Sequence, residues 1–372
     1  MTTRTFRKSS IKDVARRAGV STTTVSYFVS GREDVCASET AERIRTAIAE
    51  LNYTPNSLTR GLRLRATHTI GVCLSHPIDP EVKFGVQFLE RLWRGIVLET
   101  DVTNYSILHY PQPVRVGTSI DAFLDGRVDG MLFHGSFLDQ RQRQERVVLA
   151  GMPVVLLTRS LGLPEGCGAA YADEEQVIRL ALDHLHSLGH RRIAHLAGPV
   201  GPRPGTDIVS IRADIALQRL NAYTRQLEAL GTFDPDLVGY ADEWSDEDGK
   251  VAATVAAWYA LPEPPTAIVC ANDSLAVAAL DAATALGWSV PEALSVVGID
   301  DSVEARDAAV PLTSVAIPVE EIGREGIRCL LRLIGGEPVE ACRVALPVTQ
   351  LVVRASTAAR DDAAAPQRRN TA

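Results

Sequence analysis

Thr22, Thr23, Ser26 and Tyr27 are hydrogen-bonding side chains spaced so that Thr22/Ser26 and Thr23/Tyr27 form i, i+4 pairs. On a helix such pairs share one face. Ser21 can cap that helix, Gly31 can end it, and Val25, Phe28 and Val29 form its apolar side. Hydroxyls near the N-terminal end of a short helix can meet base edges in the major groove, as a recognition helix does. The same face also suits an ordinary solvated helix, and the spacing alone leaves both open. A second set lies further along the chain. Asp173, Asn272, Asp273 and Asp300 each fall just after, or shortly beyond, a predicted strand. Ligands of open α/β sheets sit beyond the carboxyl ends of the strands, so these polar groups are candidates for a ligand site.

The elements that must position the first set are legible around it. Ser10-Ile-Lys-Asp13 has capping-box spacing. Ile11, Val14, Ala15 and Ala18 then form one apolar stripe, and Gly19 stops the helix. A third helix is expected from about Glu39 to Glu50, with Ile44, Ile48 and Leu51 inward. The result is a helix-turn-helix layout. From Thr67 the pattern changes. Apolar runs at Ile70–Leu74, Ser106–Leu108, Gly130–Phe133, Val154–Leu157, Ile193–Leu196, Ala267–Cys270 and Ser295–Gly298 alternate with helical stretches such as 86–101, 174–188, 213–230, 247–260 and 273–286. Such alternation means βαβ units and parallel sheets. The block is too long for one comfortable sheet, so two doubly wound lobes are expected.

Composition sets outer limits. The chain has 372 residues, 46% hydrophobic and 23% charged, which excludes wholesale disorder. No apolar run approaches the roughly 18–20 residues of a membrane helix, and the polar, basic N-terminus does not read as a secretory signal. The net charge of −8 is uneven. Residues 1–65 carry 12 Lys+Arg against 6 Asp+Glu, so the remainder carries 26 against 40. A basic block ahead of an acidic body suggests that only the first piece approaches a polyanion. Six scattered cysteines without a C-x-x-C pair read as buried free thiols in a reducing cytoplasm.

The motifs go further than the spacing. Ile11-Lys-Asp-Val-Ala-Arg-Arg-Ala-Gly-Val-Ser21, Thr24-Val-Ser26, Glu50-Leu-Asn-Tyr-Thr-Pro-Asn56 and Arg60-Gly-Leu-Arg63 resemble the lactose-repressor (LacI/GalR) family of bacterial transcription regulators. The resemblance continues to about residue 355. It implies a DNA reader using Ser21, Thr22, Thr23, Ser26 and Tyr27. It also implies a hinge over 54–66 that becomes a helix on the operator and enters the minor groove, with Leu62 as the apolar wedge and Asn56, Arg60 and Arg63 at phosphates or groove edges. A short helix weakened by Gly61 should form only when docked, and an apolar wedge opens and kinks the duplex. Two departures matter. Most family members carry arginine at the position of Tyr27, and Cys36-Ala37 stands where Val-Ser is usual, which weakens the cap of the third helix.

Body segments match the family's effector domain: Val128-Asp-Gly-Met131, Gly151-Met-Pro-Val154, His184 to Ala194, Ala271-Asn-Asp273, Val297-Gly-Ile-Asp-Asp301 and Pro311-Leu-Thr-Ser314. The resemblance implies a periplasmic-binding-protein-like body of two α/β lobes, joined by three crossovers, with a ligand in the cleft. Asp173, Arg219, Trp244, Asn272 and Asp300 match family effector positions, with Phe84 or Phe88 as an aromatic wall. Carboxylates and an arginine can bind vicinal hydroxyls and a tryptophan face can pack on a sugar ring, so a sugar or sugar derivative is the expected effector. Ile317 and Val319 replace positions that are often polar or aromatic.

Other chemistries lack their parts. His184, His186, His190 and His195 have no cysteine or carboxylate at zinc spacing. Asp242 to Gly249 lacks a calcium-loop order and reads as acidic residues at a helix start. The Gly198–Gly205 loop has no following Lys-Ser/Thr, and no G-x-S-x-G elbow exists. The expectation is therefore a non-enzymatic transcription regulator, a repressor, without cofactor or metal. It is organised as a DNA-binding domain over 1–53, the hinge over 54–66, an effector and dimerisation body over 67–356, and a disordered tail over 357–372. Expected partners are double-stranded, pseudo-palindromic operator DNA, a small polar effector and a second copy of the chain, in the cytoplasm at the nucleoid and away from membranes. Tetramers of the resembled family use an added C-terminal leucine-heptad helix, and the tail lacks leucine, so the resemblance implies a homodimer. The competing reading is a small-molecule receptor that has lost specific DNA reading.

Overall fold

The computed structural model describes residues 9–29, 32, 36–54, 66–74, 86–110, 123–134, 146–148, 150–200, 212–246 and 249–360. They fall into two compact units that divide at Thr67/His68. In the first, α1 (Ile11–Ala18), α2 (Thr22–Val29) and α3 (Ser38–Glu50) enclose a small core of Val14, Ala15, Ala18, Val25, Phe28, Ala41, Ile44 and Ala47. Asp13 folds back onto Ser10, accepting its N–H at 3.0 Å and its hydroxyl at 2.7 Å. Gly19 adopts the left-handed conformation at φ +66°, which lets the chain turn sharply into α2. An Arg17–Glu50 ion pair at 2.7 Å and a bond from the Ser9 hydroxyl to Leu51 O at 2.8 Å join the first helix to the end of the third. As Cys36-Ala37 implies, α3 begins at Ala37 without a side-chain cap.

The second unit holds two six-stranded sheets. The strands are β1 (Thr69–Leu74), β2 (Ser106–His109), β3 (Gly130–His134), β4 (Val154–Leu157), β5 (Gly168–Ala172), β6 (Ile193–Ala197), β7 (Val238–Tyr240), β8 (Ala267–Cys270), β9 (Ser295–Ile299), β10 (Thr313–Val315), β11 (Arg343–Leu346) and β12 (Leu351–Val352). The first sheet runs β11-β5-β4-β3-β1-β2, the second β12-β10-β9-β8-β6-β7. Every pairing is parallel except β10 with β12. Both sheets thus repeat one doubly wound order. Strands β4, β6, β8 and β9 are buried throughout, as parallel strands covered on both faces must be.

The helices sort the lobes. Helices α4 (Val86–Thr103) and α10 (Val319–Ile334) pack on the first sheet and on each other. Helices α5 (Glu174–Ser187), α6 (Arg212–Leu230), α7 (Lys250–Tyr259), α8 (Asp273–Ala285) and α9 (Val303–Asp307) belong with the second. The chain therefore crosses between lobes three times: at Asp173, at 316–318 and at 347–350. The α4–α10 contact is a backbone-to-backbone approach. A Cβ on Gly95 would run into Glu320 O, and one on Gly323 into Leu92 O. Glycine is needed at both positions for the helices to meet.

The ordered chain extends beyond Ser356, which corrects part of the tail expected over 357–372. Ala358 N–H donates to Ser295 Oγ at 3.1 Å, Arg360 N–H donates to Leu188 O at 2.8 Å, and Thr357 meets Thr313 at 3.0 Å. The rest of that segment, 361–372, lies outside the described residues. All six cysteines are free, five of them buried. Among the described residues no helix is long and apolar enough to cross a membrane.

Candidate functional site

The first site is the outer face of α2. Ser21 caps it, its Oγ accepting Thr24 N–H at 3.0 Å and meeting Thr24 Oγ1 at 2.8 Å. Val25 and Phe28 are buried, which fixes the rotation of the helix. Thr22 and Thr23 are then exposed, with Ser26 and Tyr27 half-buried beside them. These four residues line one open groove together with Ile11 and Arg32. Thr22, Thr23, Ser26 and Tyr27 thus share one surface. Arg32 was not among the expected residues. Its guanidinium lies over the Tyr27 ring, 5.1 Å from the centre, a contact that sequence spacing does not reveal. The expected hinge residues Asn56, Arg60, Leu62 and Arg63 lie outside the described residues.

The second candidate site lies where the two lobes of the second unit meet. Asp173, Asn272 and Asp300 stand at or just past strand ends there, but the expected side chains are not equivalent. Asp173 caps α5, its Oδ1 accepting the N–H groups of Glu175 and Gln176 at 3.1 and 3.2 Å. Asn272 caps α8 through Leu275 N–H at 2.9 Å and donates to Trp244 O at 2.9 Å. Both are engaged as caps, although Asp173 stays half-buried. Trp244 is only 8% exposed and packs over Gly198, where a Cβ would lie 2.9 Å from the ring. Phe88 is half-buried in α4, 5.7 Å from the His134 ring.

The chemistry concentrates on Arg219 and Asp300. Arg219 is 4% exposed, donates from Nε to Glu174 at 2.6 Å, and bonds Ala271 O. Asp300 sits at φ +119°, a conformation costly for a non-glycine residue. The strain is held by Asp300 N–H to Val315 O at 2.9 Å and by Arg91, which donates to Asp300 O. Burial pushes the Asp300 carboxyl above the usual carboxylate range. The Arg219 guanidinium opposes this, while Asp273 and Glu174 add to it. Glu174 is also raised by burial against the pull of Arg219. A buried cation between carboxyls of this kind can exchange bonds with a polyhydroxylated ligand at little cost in new desolvation.

Several residues that frame the cleft carry no local signal. Arg91 donates from one guanidinium to Asp300 O and Ile317 O, both at 3.0 Å. Gln87 accepts Val303 N–H at 3.0 Å on the same side. Elsewhere, the Ser160 hydroxyl donates to Gln218 at 2.8 Å and Leu161 N–H to Asp214 at 3.2 Å. These bonds tie the lobes together. Below the floor, buried Asp273 accepts the Ser314 hydroxyl at 2.6 Å and Ser302 N–H at 2.7 Å. A Cβ on Gly298 would collide with that carboxylate. Ile317 and Val319 are buried at the crossover, so their apolar character serves packing.

The rejected metal sites have structural uses. His184 meets Thr357, His190 meets Thr266 and Ala358 O, and His195 meets Val269 O, each at 2.9–3.0 Å. Asp246 accepts Val251 N–H at 3.0 Å at the start of α7, a helix-start role of the kind expected for that acidic run.

Comparison with known proteins supports both units. The model described as bacterial regulatory proteins, lacI family, matches residues 10–56, and a periplasmic binding protein-like domain matches 182–357. The HTH-type transcriptional regulator CelR of Thermobifida fusca is 35% identical, over 94% of this chain and 98% of its own length. The solved CelR–cellobiose complex is 31% identical with a TM-score of 0.62, covering 94% of this chain and 99% of that one. The lac repressor dimer bound to operator and the anti-inducer ONPF is 27% identical with a TM-score of 0.73, covering 95% and 100%. With a relative of this identity along almost the whole chain, a helix-turn-helix unit and two lobes of one doubly wound order, the chain belongs to the lacI family of bacterial regulatory proteins and is a DNA-binding transcription regulator, not an enzyme.

Proposed function

We propose that this regulator is a cytoplasmic, nucleoid-associated repressor that grips a pseudo-palindromic operator as a homodimer and is controlled by a sugar or sugar derivative in the interlobe cleft. The observation that carries the effector reading is the buried Glu174–Arg219 pair beside the strained, desolvated Asp300. Asp173, Trp244, Asn272 and Phe88 complete the lining, the two caps acting through backbone placement as much as through direct contact. Ser21, Thr22, Thr23, Ser26 and Tyr27 face the major groove. Leu62, with Asn56, Arg60 and Arg63, acts in the minor groove through a hinge over 54–66.

A thermal-shift screen of pentoses, disaccharides including cellobiose, nucleosides and sugar phosphates identifies the ligand, because a specific binder stabilises the folded state by mass action. Operator binding is then titrated against salt, with and without that ligand, for the wild type and Asp300→Ala. Affinity should fall steeply as salt rises, since phosphate contacts release counterions. The ligand should shift the affinity of the wild type only, leaving the variant's operator affinity near normal. Absence of a salt slope overturns the DNA reading. A variant that responds at the wild-type ligand concentration overturns the assigned pocket.

A further inference from the structure

We infer that Arg32 is a base-reading residue of this regulator, held in reading position by Tyr27. Arg32 lies beyond the end of α2, yet it belongs to the same surface. Its backbone N–H donates to Tyr27 O at 3.1 Å, which fixes where the side chain starts. Its guanidinium returns over the Tyr27 ring at 5.1 Å. Arginine stacks on aromatic faces, and the stack holds the planar fork in one orientation.

The groove these contacts create is lined by Ile11, Thr22, Thr23, Ser26, Tyr27 and Arg32. Arg32 is the one charged residue among them. The threonines and the serine have short reach and one hydroxyl each, so they give mixed readout. A guanidinium has a longer reach and paired donors that match the O6 and N7 acceptors of guanine. Tyr27 therefore serves as a platform, and the cation that reads the base comes from the segment after the helix. The ligand chemistry implied is a guanine edge in the major groove of each half-site, close to the bases met by Thr23 and Ser26.

The inference rests on the DNA-binding reading, and the test separates the two. The full-length wild type, Arg32→Lys and Tyr27→Leu are each used to select from a library of duplexes with randomised half-sites. Operator affinity is then measured against salt on the winning sequence and on its single-base variants. The wild type should discriminate on the order of 10- to 100-fold for guanine at one position per half-site. Arg32→Lys keeps the charge and should keep the salt slope, but should lose that discrimination. Tyr27→Leu should weaken the same position. Far-ultraviolet circular dichroism checks that the three-helix unit is intact, as an exposed Arg32 requires. If Arg32→Lys selects the same sequence with equal strength at every position, or loses affinity uniformly over all sequences as a phosphate contact would, the inference is wrong while DNA binding stands. If the wild type enriches no sequence, both fail.

Discussion

Arg91→Met keeps a long aliphatic stem in α4 but removes both donors that reach across the cleft to Asp300 O and Ile317 O. Each is a charge-assisted bond to a carbonyl at 3.0 Å in a half-buried setting, so about 1 kcal/mol net apiece is a conservative figure. The lost preference for the closed arrangement is then about 2 kcal/mol, or about 30-fold in the opening equilibrium. Gln87–Val303 and Ser160–Gln218 remain, so the lobes stay folded and the melting temperature should change little. A ligand that needs the closed form loses affinity by up to the same factor. Calorimetric titration with the ligand from the screen measures this directly. Small-angle scattering on the unliganded protein reports the accompanying increase in radius of gyration. A dissociation constant within twofold of the wild type, with an unchanged scattering curve, would refute the view that Arg91 latches the cleft.

Two further perturbations test the framework. Gly95→Ala drives a Cβ into Glu320 O at the α4–α10 approach, and relief requires the helices to separate. Overpacking of this kind costs about 1–3 kcal/mol or more, and a thermal melt should show it as a drop of several degrees; an unchanged melting temperature would mean that the helices do not touch there. His195 is fully buried beside Tyr223, with ring centroids 4.9 Å apart, and burial pulls its pKa down to about 4 from 6.5. Between those values the unfolded chain binds a proton that the folded chain refuses. Its contribution is therefore intact above about pH 6.5 and is lost as pH falls through about 4. The stability gap between the wild type and His195→Gln should be about 2 kcal/mol smaller at about pH 5 than at about pH 7, and a gap that does not move with pH rules the mechanism out.

The sequence reading and the structure part company along physical lines. Strands β1, β3, β4, β6, β8 and β9 stand in largely apolar runs, because both their faces are buried. Strand β5, Gly168-Ala-Ala-Tyr-Ala, has only small side chains around its tyrosine, and Gly168 is seated where a Cβ would meet Cys342 O at 2.8 Å. Strand β10, Thr313-Ser-Val, is polar in composition yet wholly buried, because the Thr313 N–H donates to Ser356 Oγ and its two hydroxyls bond to Thr357 and Asp273. Neither shows a hydrophobic signal. Asn272 was legible because it follows the apolar run of β8, whereas Asp173, which follows the signal-free β5, was legible through the family resemblance. Arg91 was not, since its partners lie 209 and 226 positions away. The same holds for the stack of Arg32 on Tyr27, which depends on the path of the chain after α2.

The three crossovers make chain order and lobe order different things. The first sheet uses β1 to β5 and then waits for β11, and its α4 face is completed only by α10. The second lobe is interposed, from α5 to β10. While the protein is being synthesised, the first lobe thus emerges with Gly95 unseated and the sheet edge at β5 open. It must stay in that state until residues 319–346 have left the ribosome. A chain cut near Pro318 would lose a structural wall of the earlier lobe, and with it the α4–α10 seat. A premature stop that removes α10 and β11 therefore yields no half-sensor, only an exposed strand edge and an uncovered helix face.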